Sequence, residues 1–260
     1  MKPVKKVLRC HVCHHLAEIE LHAVAGRICA QCLARQGRNP NWAEKGGWSR
    51  LPRFSFEFEV DTQQWSELER ATILLRHGFL RTEDGTVSDE YKSPIYSDLR
   101  GVVPVLPVLD ALAGLVLDSC GTHVHVECSH TWALTTLQED IFGPLLAQLA
   151  QHQAETEAFW GRFFNPYARA SFDGSRYAAF NLESSQPTLE FRLPRFRTSA
   201  QFRQVVQFCR TAVAEINSVF DACQGCSDPE ASALGQRLMM CYQAAAHTAR
   251  GRGKEGEQDV

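Results

Sequence analysis

From Leu51 onward the apolar and polar positions fall into regular periods. Phe54–Val60 alternates with period two and predicts a strand. Gln63–His77 predicts a helix, with Trp65, Leu68, Thr72 and Leu75 on one face and Gly78 as its stop. Thr86–Tyr96 reads as extended, ending around Ser93-Pro94, and Val103–Leu117 as an apolar helix with prolines near its start. Thr122–Glu127 alternates again as a strand. Leu134–Phe164 predicts helix, broken near Gly143-Pro144, because proline removes a helical hydrogen bond. Arg176–Glu183 and Thr188–Leu193 predict two paired strands, and Ala200–Ala222 and Pro229–Ala246 two helices. Strands dispersed among helices without β-α-β alternation predict an α+β fold. Its sheet should be curved and largely antiparallel, with helices on one face.

The chain divides by composition. Residues 1–36 form a Cys/His-rich head, and 37–50 hold Gly, Pro and Asn without periodicity and read as a linker. Residues 51–249 form the main domain, and 250–260 an unstructured, polar tail.

Three strands pair an apolar face with a chemically distinctive one, since side chains alternate across a strand. Phe56-Glu57-Phe58-Glu59-Val60 puts two carboxylates on one face. Thr122-His123-Val124-His125-Val126 does the same with two imidazoles, and Leu189-Glu190-Phe191-Arg192-Leu193 with a carboxylate and a guanidinium. A merely solvated face would carry Thr, Lys, Gln and Ser instead. Adjacent carboxylates repel unless a cation lies between them, and carboxylates with an occasional imidazole suit magnesium or manganese. Arginine beside them suits phosphate. A zinc hydrolase built on His123-x-His125 is the competing enzyme reading; the Glu-rich remainder suits a harder cation better. Cys120 and Cys128 flank the central strand and read as packed core thiols.

Charge sharpens the division. Of a net charge of -3, residues 1–53 hold ten Lys/Arg against three Asp/Glu, a balance of +7 that leaves -10 for the remainder. A basic head on an acidic body predicts different partners for the two. No apolar run is long enough to span a bilayer and no secretory signal opens the chain, which predicts a soluble, cytoplasmic protein without a membrane partner. Ten cysteines in that setting point to metal more than to disulfides. Cys10-x-x-Cys13 and Cys29-x-x-Cys32, fifteen residues apart, have the spacing of a zinc ribbon, in which four thiolates hold one structural Zn²⁺. Cys223-x-x-Cys226 lacks a second pair and reads as a helix-connecting turn with packed thiols.

Five motifs then carry a resemblance. Phe56-Glu57-Phe58-Glu59, Glu90-Tyr91-Lys92-Ser93-Pro94, Cys120-Gly121-Thr122-His123-Val124-His125-Val126, Arg176-Tyr177-Ala178-Ala179-Phe180-Asn181-Leu182 and Thr188-Leu189-Glu190-Phe191-Arg192-Leu193 occur in that order. Together, over about Phe54 to Phe220, they resemble the amidoligase family of bacteria, phages and fungi. The resemblance implies the carboxylate-amine ligase fold of glutamine synthetase and glutamate-cysteine ligase. It also implies an ATP- and magnesium-dependent (or manganese-dependent) ligase that forms an amide or peptide bond through an acyl phosphate. The substrates would be small-molecule or peptide carboxylates and amines. By position, Glu57, Glu59, Glu90 and Glu190 look like metal ligands. In the Gly-x-His-x-His segment His123 is the metal candidate and His125 the substrate-side one. Arg176 and Arg192 look like phosphate-binding residues, and Glu57, His125, Arg176 and Arg192 form the implied catalytic set. A reading from a different class is a non-catalytic binding module, whose basic zinc head contacts nucleic acid or protein.

The head gives a first prediction. Purified protein should carry about one equivalent of zinc, measured by metal analysis, and Cys10→Ser should release it. Zinc-free protein from metal-replete preparation would contradict the four-thiolate site.

Overall fold

The computed structural model describes residues 5–9, 16–20, 51–61, 72–84, 87–113, 120–172, 177–182, 187–222 and 228–255. It combines helices with antiparallel strands, as the α+β pattern predicts. Two compact units form: Met1–Arg50 with Ser55–Cys120, and Leu51–Phe54 with Gly121–Val260. None of the described helices is long and apolar enough to cross a membrane.

In the first unit β1 (Lys5–Arg9) and β2 (Leu16–Glu20) pair antiparallel, with Arg9 opposite Leu16. Further along, β3 (Phe54–Val60), β4 (Leu80–Asp84) and β5 (Val87–Lys92) lie in the spatial order β4-β5-β3, each pair antiparallel. The alternation in β3 sends Phe56, Phe58 and Val60 into the core. Phe56 packs edge-on to Phe79, with ring centroids 5.4 Å apart, and stacks on Tyr96 at 6.1 Å. Between β3 and β4 a 3-10 helix covers Thr72–His77, the end of the helix expected over 63–77, whose residues 63–71 lie outside the described residues. Gly78 stops it as expected, at a φ of 85° that glycine adopts without cost. A second 3-10 segment, Leu99–Val105, starts where the Asp98 carboxylate accepts the amides of Arg100 and Gly101, and α1 (Leu106–Ala113) follows. The strand β4 was not anticipated. Its sequence, LRTED, has no apolar alternation, and its pairing with β5 defines it.

In the second unit β6 (Thr122–Glu127) leads into α2 (Thr131–Gln151) and α3 (Gln153–Trp160). Then come β7 (Phe180–Asn181), β8 (Thr188–Phe191), α4 (Ser199–Ala222) and α5 (Asp228–Glu255). The strand order here is β6-β8-β7, with β6 and β7 both antiparallel to β8. The paired Phe180 and Phe191 project toward helices: Phe180 stacks on Phe142 of α2 at 4.9 Å and Phe191 on Trp160 of α3 at 6.5 Å. Their strand neighbours Asn181 and Glu190 consequently share the opposite face. From α4, buried Arg210 donates to the carbonyls of Pro52 and Leu51 at 2.8 and 3.1 Å and lies over the Phe54 ring, tying residues 51–54 to that helix.

The helical break falls elsewhere than expected. Pro144 sits inside α2, and the chain breaks at His152, with φ -123° and ψ 60°. Buried Ile141, Phe142, Leu145 and Leu149 hold the helix on both sides of the proline. The proline leaves the Asp140 carbonyl without its helical donor, and α5 comes in at that point. A Cβ on Gly235 would stand 2.4 Å from the Asp140 oxygen and 2.9 Å from that of Ile141. At the break itself the Thr156 hydroxyl donates to the Leu149 carbonyl at 2.8 Å, satisfying a group at the end of α2. At its other end α5 runs on to Glu255, into the stretch expected to be unstructured.

Gly161 closes α3 in the left-handed conformation, φ 85°, and donates to the Glu157 carbonyl at 2.8 Å. A Cβ there would overlap the Arg195 carbonyl oxygen at 1.6 Å. Gly161→Ala should therefore lower the unfolding free energy by at least about 2 kcal/mol, from backbone strain plus a clash with main chain that cannot swing aside. A denaturant titration matching the native protein would contradict this reading.

Candidate functional site

Among the described residues, Glu57, Glu59 and Glu90 lie on strands of the first unit and His123, His125 and Glu190 on strands of the second, with Arg192 just after β8. In the first, the β3–β5 register sets Glu57 opposite Lys92 and Glu59 opposite Glu90. These four side chains share a face, while Phe56, Phe58 and Tyr91 take the other. The Lys92 Nζ lies 2.8 Å from Glu57 Oε1 and 3.0 Å from Glu90 Oε1, so one ammonium spans two carboxylates. Glu59 and Glu90 are buried. Burial, reinforced by the Glu57 carboxylate, pushes the Glu90 carboxyl up to about 7, although Lys92 pulls the other way. Burial also opposes the charge on Lys92, but Glu57 and Glu90 outweigh it, and its affinity for its proton is raised. Lys92 was not among the expected site residues. Its signal was present in Glu90-Tyr91-Lys92, where period two puts Lys92 on the Glu90 face.

In the second unit Glu190 is the centre. It is only 3% exposed, and both carboxylate oxygens have donors. The amide of Asn181, its partner across β7–β8, donates to Oε2 at 2.6 Å, and Arg192 Nη1 donates to Oε1 at 2.6 Å. His123 Nδ1 stands 3.4 Å from the same Oε1. His125, directly opposite Glu190 in the β6–β8 register, is half-buried, with its Nδ1 3.5 Å from the Thr188 hydroxyl. Both imidazoles thus flank the carboxylate, since a ring nitrogen of His125 also lies within 4.8 Å of a Glu190 oxygen. Arg192 is less available to phosphate than expected. Besides Glu190, its Nε donates to the Tyr167 carbonyl at 3.2 Å, and its guanidinium lies over the Tyr177 ring. Asn181 is a site residue that the sequence placed in a motif but gave no role.

The glycine before the His-x-His strand has a local reason. Buried Arg162 donates through Nε to the Leu193 carbonyl at 3.2 Å and through Nη2 to that of Arg192. Its guanidinium fills the place of a side chain at 121, since a Cβ there would meet Nη2 at 2.6 Å. Arg162 thereby ties the end of β8 to the start of β6.

Arg176, the four cysteines Cys10, Cys13, Cys29 and Cys32, and Cys223 and Cys226 lie outside the described residues. Among the described thiols, burial pushes Cys128 up to about 11 and Cys209 well above the ordinary thiol range, which disfavours either as a nucleophile. Among the described residues the chemistry on offer is that of carboxylates, imidazoles and guanidinium. The Glu57–Glu90 pair already accommodates a cationic group, and an oxygen-ligand set of this type fits a hard divalent ion. No protein-family model matches this chain, and no curated protein matches its sequence.

The raised Glu90 value fixes a pH dependence. The ordinary value is 4.5, so between 4.5 and about 7 the folded state keeps a proton that the unfolded chain has lost. Its contribution to stability is full below 4.5 and declines as pH rises through about 7. With chelator present, melting temperatures followed from about pH 5 to about pH 8 should fall less steeply for Glu90→Gln than for the native protein. Parallel curves would contradict the raised value.

Proposed function

We propose that the chain is a member of the amidoligase family, with the glutamine-synthetase-like fold of carboxylate-amine ligases and an N-terminal zinc module. The reaction is ATP-dependent formation of an amide or peptide bond between a carboxylate and an amine. The observation that carries this reading is the Glu190 carboxylate, buried yet held by Asn181 and Arg192, with His123 Nδ1 3.4 Å away. Taking a carboxylate out of water is costly unless it is compensated, and a charged group kept buried on a strand face points to a working site.

Each group has a role in this proposal. Glu57, Glu59 and Glu90 in the first unit, and Glu190 with His123 in the second, would hold magnesium. The metal would neutralise phosphate charge. Arg192, with Arg176, would orient the γ-phosphate and balance charge on the transferred group. His125 faces the substrate side. The substrate carboxylate attacks the γ-phosphorus, giving an acyl phosphate and ADP. The amine then attacks the acyl carbon and expels phosphate. Positioning and electrostatics carry such a transfer without an enzyme nucleophile, which agrees with the buried, proton-retaining thiols. For the head, the β1–β2 hairpin joined by the segment bearing Cys10 and Cys13 supports a zinc ribbon. Among the described residues the free thiols Cys128, Cys209 and Cys241 suit a reducing cytoplasm.

The test is mass spectrometry of amine and peptide mixtures incubated with the protein, a carboxylate pool, ATP and Mg²⁺. An amide product should form in step with ADP and phosphate. Glu190→Ala should cut turnover on the order of a hundredfold or more, and Arg192→Lys should impair it severely, since lysine keeps the charge but loses the planar fork. AMP and pyrophosphate as products would reject the acyl phosphate. Full biological activity in both variants would favour the binding-module reading.

A further inference from the structure

We propose that Lys92 is a built-in cation that holds the Glu57–Glu90 pair in the metal-free protein and competes with a divalent ion for it. The inference rests on the cation site of the ligase reading and adds a competitor to it. The geometry is the argument. Register puts Lys92 directly across from Glu57, and strand period puts it on the face of Glu90. Its ammonium reaches one oxygen of each, at 2.8 and 3.0 Å. A metal ion bridging the same oxygens would need the space that Nζ fills, because metal–oxygen distances are shorter still. The two occupants therefore exclude one another.

Exchange needs little rearrangement. The carboxylates are fixed on paired strands, with the Glu90 side chain 9% exposed, whereas the Lys92 side chain is 39% exposed. Its four-carbon stem is flexible and its ammonium is readily hydrated, so it can swing out while the strands stay paired. Without an internal cation, the buried Glu90 would face Glu57 and its register partner Glu59 across a face of like charge. Lys92 keeps that face folded before metal arrives and weakens the metal's hold once it does. The expected ligand class is a hard divalent cation with oxygen preference, such as Mg²⁺ or Mn²⁺.

Mn²⁺ binding to the full chain, measured by electron paramagnetic resonance, tests the competition. Lys92→Met, which keeps the stem and removes the charge, should bind Mn²⁺ at least about tenfold more tightly than the native protein, a change of about 1.4 kcal/mol. Lys92→Arg should bind as the native protein does. Adding Glu90→Gln to Lys92→Met should abolish the gain, which assigns it to this pair. Lys92→Gln serves in the same way should the methionine variant fail to melt cooperatively. If the native protein binds Mn²⁺ and the neutral variants bind it equally or more weakly, the competition is overturned while the cation site of the ligase reading stands. If neither native nor neutral variants bind Mn²⁺, both fail.

Discussion

A carboxylate withdrawn from water must be compensated where it lies, and this constraint organises the polar strand faces of both units. In the first, Lys92 answers Glu57 and Glu90, and on the opposite strand face Arg81 pairs with Asp89. In the second, Asn181 and Arg192 donate to Glu190, and His123 stands beside it. Each compensation depends on register. A slip of one residue in β3 against β5 would remove Glu57 from Lys92 and turn Glu57 toward the phenylalanines. The pairing of strands and the chemistry of the faces are thus one requirement.

This coupling explains why charged groups sit where a stabilising core alone would favour apolar residues. Aromatic packing on the other strand face supplies cohesion: Phe56 with Phe79 and Tyr96 in the first unit, and Phe180, Phe191, Phe142 and Trp160 in the second. The polar faces are left to chemistry. The proposed ligase function uses that freedom, since its catalysis needs fixed charges more than a reactive side chain.

Much of this was legible in the sequence because alternation is a local property. Phe56-Glu57-Phe58-Glu59 and Leu189-Glu190-Phe191-Arg192 state their two faces outright, and β3, β6 and β8 lie where they were expected. What was not legible depends on partners distant in sequence. Lys92 gains its role from Glu57, thirty-five positions away, through a register that no local pattern announces. Asn181 gains its role across the β7–β8 pair. Pro144 was misread as a helix break because the local rule weighs a lost hydrogen bond and cannot weigh the packing of Ile141, Phe142, Leu145 and Leu149 around it. Strand β4 was missed for the same kind of reason, since its pairing with β5 defines it.

Sequence drift along α2 and α5 is constrained unequally. At Gly143 a methyl group would meet nothing within 4 Å among the described residues, so alanine is admissible there and helix propensity favours it. At Gly235 a methyl group would press on two main-chain oxygens of α2, and no rotamer change can relieve a clash with backbone. Replacing Pro144 would return a helical donor to Asp140 and still leave that oxygen in the way. Descendants of this chain should therefore vary freely at one glycine and stay fixed at the other, although both lie in helices, where glycine is the weakest ordinary choice.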